Sequence, residues 1–560
     1  MSLVQNTYIE TAPLATPVNG NGKTQAASTT SSVATTWTAT QKLLFRIAFI
    51  FFIAIAIPNS AEWYKLVVHI DWTNLHYRDL YDIARFGSGI NLFGNKLFGS
   101  TLLGYANWII TLIVATVGGF IWTWIMNRRK TARAEYNLLY YWLRVVVRYR
   151  AGIGIIGFGF TKLLPVQMPY PSWGVLNTNV GDMTAQKLYW LSIGIVPWYQ
   201  IFAGIIEVTA GTLLFFRRTT TIGSILLFGA LGDIVYVNFA YDGGVHVYSS
   251  YFVLLAAFLL VNDIPKLYNL LILEKNTVPV NFYPVFNAKW QRFARVGLKT
   301  ATIFIFLVVL FYLQLVNFWY DPYKQPSVAG VKQLRGNYAV TEFRINNKAI
   351  AYNPLDSVRW QEATFEKWSS LTFRINKPTA LDLSNGGGDP QRDINRTFEL
   401  TGVAGGQRVF HYFADTVNNV LYLEDKYKDI PDRRNRAAGV GGDGGTDQNL
   451  NSDRNKKKEA KVKKQKDTVD KFIPKGAWKN IGNEVAMIDH RAASTRRDRE
   501  FAEAPKSEKR NRMLLHYETT DGSRVILTGT NENKDSIYVV LDRISRPYAL
   551  SESSLQAGKY

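Results

Sequence analysis

The chain has 560 residues, a formal net charge of +21 and no cysteine. The lack of cysteine excludes disulfides, cysteine-ligated zinc, iron–sulfur clusters and cysteine-attached haem. The positive charge does not mark a nucleic-acid binder. It sits in loops beside apolar stretches and in a tract around Lys456-Lys457-Lys458 to Lys466, which lacks the interleaved aromatic residues of a nucleic-acid groove and reads as a solvated insertion.

In chain order, residues 1–40 are rich in Ser, Thr, Asn and Ala, the composition of a disordered tail, and carry no signal-peptide pattern. Seven apolar stretches follow, at about 42–60, 102–126, 142–164, 190–216, 219–240, 247–264 and 298–319. A bilayer core needs about 20 apolar residues per helix. The first stretch is short and reads as an uncleaved signal anchor. The third is amphipathic, and six spans result if the first helix is only interfacial. Three basic loops fall on one side of a seven-span chain: Asn127-Arg128-Arg129-Lys130 with Arg133, Arg217-Arg218, and Lys266 to Arg295. Positive loops stay cytoplasmic. The N-terminus is then cytoplasmic, and the loops 61–101, 165–189 and 241–246 lie outside together with residues 321–560.

In residues 321–560, short alternating runs separated by turn residues predict antiparallel strands. They are Tyr338–Ile345, Leu371–Ile375, Val409–Phe413, Val420–Leu423, Met513–Tyr517, Val525–Gly529 and Ser536–Leu541. Asp521-Gly522 and Asn418-Asn419 are turn signals. A Gly- and Lys-rich insertion at about 433–509 cannot build a core, with a return to order expected near Trp478 to Ile488. The fold class is therefore a mainly α, polytopic membrane bundle of about seven helices over 41–320, followed by an extracytoplasmic antiparallel β-barrel or sandwich over 321–560.

Charges inside the apolar stretches point to a polar interior. A charge at the bilayer centre costs a few kcal/mol or more and faces a partner or a wet cavity. Arg148, Arg150, Glu207 and Asp233 form the candidate intramembrane site. With a helical rise of about 1.5 Å per residue, Arg148 or Arg150 falls within a turn or two of Glu207 in depth. A proton-handling or quinone-ring site and a plain ion pair that fixes helix register are both open. Lys162, Gln167, Asp182, Asn238, Tyr241, Asp242 and His246 form a candidate polar mouth at the outer face, with a proton path from Asp242 through Asp233 to Glu207. For Asp182 and Asp242 the simpler reading is that they end helices. Gly152, Gly154, Gly157 and Gly159 allow close helix approach. The six histidines show no spaced ligand pair, so no metal site is expected.

Several segments match a known pattern in order: Tyr149 to Lys162, Pro165 to Pro171, Gly181-Asp182-Met183-Thr184, Phe202 to Glu207, Leu213 to Thr221, Asn238 to Asp242 and Ser249-Ser250. Over about Arg148–Asp263 the chain resembles the DoxX/DoxD-like family of bacterial membrane proteins. The resemblance implies a four-helix membrane core at 142–264. Through the membrane subunit of thiosulfate:quinone oxidoreductase, from which the family takes its name, it also implies a quinone link. Phe98-Gly99-Ser100-Thr101 is at most a remnant of the family's Gly-Ser-Gly-Asp-Thr segment, and His246 and Tyr251 stand where relatives show Lys and then His. Leu334-Arg335-Gly336-Asn337-Tyr338, with the closing strand Tyr538 to Arg543, is similar to lipocalin-type barrels, which carry Gly-x-Trp there.

The expected function is that of an accessory component of a quinone-linked redox or cell-envelope process. It would bind a small lipid-soluble molecule, with quinone as the candidate and no covalent cofactor. An envelope or redox protein partner would bring electrons. A non-enzymatic anchor that presents the β-domain, and small-solute or proton transport, are the alternatives. The absence of an inverted repeat weighs against transport.

Overall fold

The computed structural model describes residues 36–379, apart from 91–101, 132, 278–281, 321, 323 and 327, together with residues 381–383, 393–427, 472–474, 477 and 510–552. Most of the expected tail, the insertion near Lys456, the Phe98–Thr101 segment and Trp478 to Ile488 lie outside the described residues.

The first helix, α1 (Ala39–Ala56), starts about three residues earlier than composition suggested, because Thr38 caps it: its side chain accepts from the Gln41 backbone and the Gln41 side chain accepts in return. It packs on α4 (Ala106–Arg128) and α5 (Asn137–Leu163), where a Cβ on Gly119 would sit 2.5 Å from Ile47. Arg46 is buried and donates to the Tyr136 hydroxyl at 2.8 and 3.1 Å. Between α1 and α4 lie α2 (Ala61–His69) and α3 (Tyr77–Ala84).

Among the described residues four helices are long and apolar enough to cross a membrane, and counting each of two bent pairs as one span raises the number to six. The four are α1, residues 102–128, α9 (Thr220–Ala240) and the helix from Lys289 to Trp319. That last helix comprises α12 (Lys289–Ile303), a π-helical stretch (Phe304–Val309) and α13 (Leu310–Tyr320). The expected span at 190–216 is two helices, α7 (Ala185–Gly194) and α8 (Pro197–Leu214), bent by 90°. Proline lacks an N–H and pushes the residue before it out of helical conformation, so Pro197 starts a new helix. Likewise α10 (His246–Val261) bends by 71° into α11 (Ile264–Leu271), where Pro265 stands in the first turn. The charged helix α5 is not among the six. It is sheathed by α1, α8 and α10.

The β-domain is an antiparallel barrel of eight strands. In sheet order these are β1 (Gly336–Ile345), β3 (Glu362–Phe365), β4 (Ser370–Arg374), β5 (Gln407–Asp415), β6 (Val420–Asp425), β7 (Arg512–Glu518), β8 (Arg524–Thr530) and β9 (Ser536–Ile544). The short β2 (Lys348–Ala349) adds to the edge of β1, and β1–β9 pairing closes the ring. Of the two architectures anticipated, the barrel is the one formed. A bulge between Val340 and Glu342 explains why the buried parity of β1 switches from Tyr338 and Val340 to Phe343. Side chains fill the interior, among them Phe365, Phe410, Tyr412, Leu515 and Val539. Tyr422 is not one of them. It lies on the outer face beside Phe472, with the ring centroids 5.8 Å apart. At one end Arg543 stacks over the Tyr338 ring at 5.5 Å and donates to its hydroxyl and to the carbonyls of Gln333 and Gly522.

The segment 165–189 leaves the bundle and grips the barrel, which puts this loop and the β-domain on one side of the bundle. Glu366 accepts from the backbone N–H groups of Gly174 (2.7 Å) and Trp173 (3.2 Å). Asn177 donates to Asn337 and Thr364, and Ala404 donates to the Asp182 carbonyl. Eight buried charges gather along this junction: Lys187, Lys324, Arg396 and Lys426 against Glu366, Asp382, Asp393 and Glu399. The signs balance. Lys426 holds Glu399 at 2.6 Å, Arg396 lies 3.6 Å from Asp393, and Lys187 donates to the Phe398 carbonyl at 2.6 Å.

Burial pushes the Glu366 carboxyl up to about 7 from its ordinary 4.5. Nearby Glu399 adds to the rise, and the two N–H donors oppose it. The folded chain therefore keeps this proton where the unfolded chain has lost it. Its stabilising share is complete below about pH 4.5, shrinks as pH rises and is gone above about pH 7, a difference of up to roughly 3 kcal/mol. Thermal unfolding of the full chain in detergent between pH 5 and pH 8 should show wild type losing midpoint temperature relative to Glu366→Gln, whose amide does not titrate. Parallel curves would refute this assignment.

Candidate functional site

The tightest contact in the bundle is α5 against α8, and glycine makes it. A Cβ on Gly204 would lie 2.3 Å from the Leu163 backbone nitrogen, and one on Gly159 would lie 2.6 Å from Val208. One turn pair deeper, a Cβ on Gly211 would meet Ile156 at 2.6 Å and one on Gly152 the Gly211 carbonyl at 2.9 Å. This antiparallel register sets which charges can meet. Glu207 comes opposite the outer end of α5, and Lys162 donates to both of its carboxylate oxygens at 2.7 and 2.8 Å. Both side chains are buried.

Neither expected arginine partners Glu207. Arg148 faces the inner end of α8, where it donates to the carbonyls of Leu214 (3.0 Å) and Phe215 (3.5 Å). These belong to the helix end that has no internal donors, and a cation is favourable there. Leu214 is seven residues from Glu207, about 10 Å along the helix, so Arg148 cannot serve both. Arg150 points elsewhere and does the same for α3, donating to Ala84 (2.9 Å) and Phe86 (3.2 Å). Asp233 is exposed on the outward face of α9, not directed into the bundle.

The expected outer mouth separates into three places. Lys162 and Gln167 stay near Glu207, with Gln167 accepting from the Thr161 hydroxyl at 3.3 Å. Asp182 is pinned to the barrel, its carboxylate crowding the Gly405 backbone. Asn238, Tyr241, Asp242 and His246 shape the turn between α9 and α10. There Asn238 accepts from Val245 at 3.4 Å, Tyr241 stacks on Tyr189 at 4.9 Å and His246 stacks on Phe239 at 4.4 Å. Asp242 takes a left-handed conformation in that turn, with φ of 51°. Asp233 faces outward on α9, and its charge and that of Glu207 both act on the Tyr189 phenol of α7.

The most unusual polar group lies in a segment expected to be an outer loop. Helix α3 dips into the bundle against α5 and α13. The carbonyls of Ala84 and Phe86 reach the level of Arg150, midway along the 27-residue α5. The chain then returns outward, with the Ser88 hydroxyl donating to the Ile55 carbonyl and Asn59 donating to Gly89 at 2.6 Å. The Arg85 guanidinium lies over the rings of Phe158 (4.7 Å), Tyr81 (4.8 Å) and Tyr248 (5.8 Å). That of Arg150 lies over Phe86 (4.0 Å) and Tyr251 (5.1 Å). Both arginines are buried. Among the described residues the Arg150 Nε has no hydrogen-bond partner, and neither end of the fully buried Gln314 amide on α13 has one.

This arrangement sets two guanidiniums against aromatic rings inside the bundle, Arg150 near the middle of α5 and Arg85 about two turns farther along it beside Phe158. It suits an uncharged ring bearing carbonyl oxygens, or an anion, better than a cation. Among the described residues no group of three or more His, Asp or Glu side chains is placed to hold a metal. Sequence reasoning missed α3 because Tyr-Arg-Asp-Leu-Tyr-Asp-Ile-Ala is polar, yet its spacing held a signal. Arg78 and Asp82 are four apart and pair at 3.5 Å while almost fully buried, and Asp79 caps the helix through the His76 N–H. Comparison with family models, curated proteins and solved structures returned no match for this chain.

Proposed function

We propose that the helical half binds a small lipid-soluble molecule with a flat, carbonyl-bearing head, quinone being the class that fits, and that the protein is an accessory component of a quinone-linked redox or cell-envelope process. The supporting observation is the pair of buried guanidiniums, Arg85 and Arg150, set among five aromatic rings inside the bundle. Guanidinium N–H groups donate to carbonyl oxygens, and the rings stack on the head. In this reading the chain is a DoxX-like protein of the bacterial inner membrane with about seven spans. Its N-terminus is cytoplasmic and its lipocalin-like barrel is exported, and a redox partner supplies the electrons.

One observation favours the scaffold reading instead. Arg148 and Arg150 cap helix ends and Glu207 is neutralised by Lys162, so these charges also suffice to lock the bundle around an anchored β-domain. Purified full-length protein in nanodiscs, titrated with a short-tailed naphthoquinone or benzoquinone and followed by tryptophan quenching, separates the two. Quinone binding weakened at least about tenfold by Arg85→Leu, the loss of one charge-assisted hydrogen bond, supports the first. Absence of binding in wild type leaves the scaffold.

A further inference from the structure

Asp233 is the fourteenth residue of the 21-residue α9, about 5 Å beyond the middle of the helix by its rise. It is exposed and, among the described residues, makes no hydrogen bond or ion pair. The same face carries Gly229 and Gly232, where an added Cβ would meet nothing within 4 Å, and Tyr236, which is 74% exposed. The opposite face of α9 is spent on α8 and α10. A span otherwise apolar enough to cross a bilayer thus turns a carboxylate, a phenol and a shallow glycine notch toward whatever surrounds it. A carboxylate left in hydrocarbon at that depth costs a few kcal/mol or more.

We infer that this face of α9 docks a transmembrane helix of another protein, one carrying a lysine or arginine at mid-membrane depth that pairs with Asp233 while its backbone approaches over Gly229 and Gly232. Charge complementarity selects the occupant. Arg46, Arg85, Arg148, Arg150 and Lys162 are buried in the bundle, and the less buried Arg292, Arg295 and Lys299 belong to the start of the last span, where Lys299 lies over Phe216 at the end of α9 away from Asp233. A second copy docked through this face about a two-fold axis would bring Asp233 against Asp233, like charges in a poor solvent for either. Small residues permit the close approach that helix association in lipid depends on, and an interhelical polar contact adds to it.

The test uses the full-length protein in phosphatidylcholine vesicles with a photo-crosslinking residue in place of Tyr236. Three synthetic 21-residue Leu/Ala helices serve as probes, with Lys, Leu or Glu at the centre. The Lys helix should crosslink about tenfold more than the Leu helix, and the Glu helix less than either. Asp233→Leu should erase the preference. Asp233→Asn, which keeps the side-chain shape, should erase it too if the Leu variant does not accumulate. Gly232→Leu should reduce crosslinking without lowering the thermal midpoint, since its Cβ meets nothing within 4 Å and leucine is the better helix former. Equal crosslinking of the Lys and Leu helices overturns the proposal. So do adducts between two copies of the chain, which would make the face self-associating.

Discussion

Lys162→Met should destabilise the bundle by about 3–5 kcal/mol, the range measured when one member of a buried ion pair is removed. The variant leaves the Glu207 carboxylate buried with neither of its two donors. A buried carboxylate without a partner bears a large desolvation penalty. Glu207→Gln should cost less, because an ammonium at the outer end of α5 can reach the interface. The double variant Lys162→Met with Glu207→Met removes both charges and should recover most of the loss. Thermal midpoints of the detergent-purified proteins give the readout. If the double variant regains stability and the complemented cell process together, the pair only fixes helix register. If it regains stability without function, the pair belongs to the working site.

Gly204→Leu should be at least as severe. A Cβ at 2.3 Å from the Leu163 nitrogen and 2.8 Å from the Gly159 carbonyl meets backbone on both counts, and backbone cannot rotate away as a side chain does. Even Gly204→Ala must part α5 from α8, which overpacking data place at about 1–3 kcal/mol. The leucine variant should exceed that range and fail to accumulate as folded protein, by size-exclusion profile in mild detergent. Gly229→Ala is the control: it adds the same atom where nothing lies within 4 Å and should be neutral to stabilising by up to about 1 kcal/mol, alanine being the better helix former. Separation of α5 from α8 would also part Lys162 from Glu207, so Gly204→Ala combined with Lys162→Met should lose less than the sum of the two.

What could be read from the chain followed the period of its apolar residues. All seven strands anticipated by alternation are present, because one face of each is barrel core. The strand Glu362–Phe365 was missed because it is only four residues long and three of them are buried. Helical stretches were found wherever the run was apolar, while their breaks were overlooked at Pro197 and Pro265. The apolar run 190–216 does not show which of its faces meets α5 or in what register. The close approach of Gly204 to Leu163 and of Gly211 to Gly152 sets that register and selects Lys162 as the partner of Glu207. The contribution of α3 was hidden because a polar helix that satisfies its own charges within a bundle looks like a loop by composition. The balanced charges of the barrel junction were hidden for another reason. Lys187 and Lys324 are separated from Glu399 and Lys426 by scores of residues, and no local pattern links them.

The elbow at Val196-Pro197 couples the two halves mechanically. Its outer arm, α7, is clamped to the barrel through Lys187, while its inner arm, α8, carries Gly204 and Glu207 in the least compliant contact of the bundle. Because the arms meet at 90°, a tilt of the barrel acts on α8 as torque about its own axis, not as a push along it. Load arriving at the head would thus be felt first as strain on the Lys162–Glu207 bond.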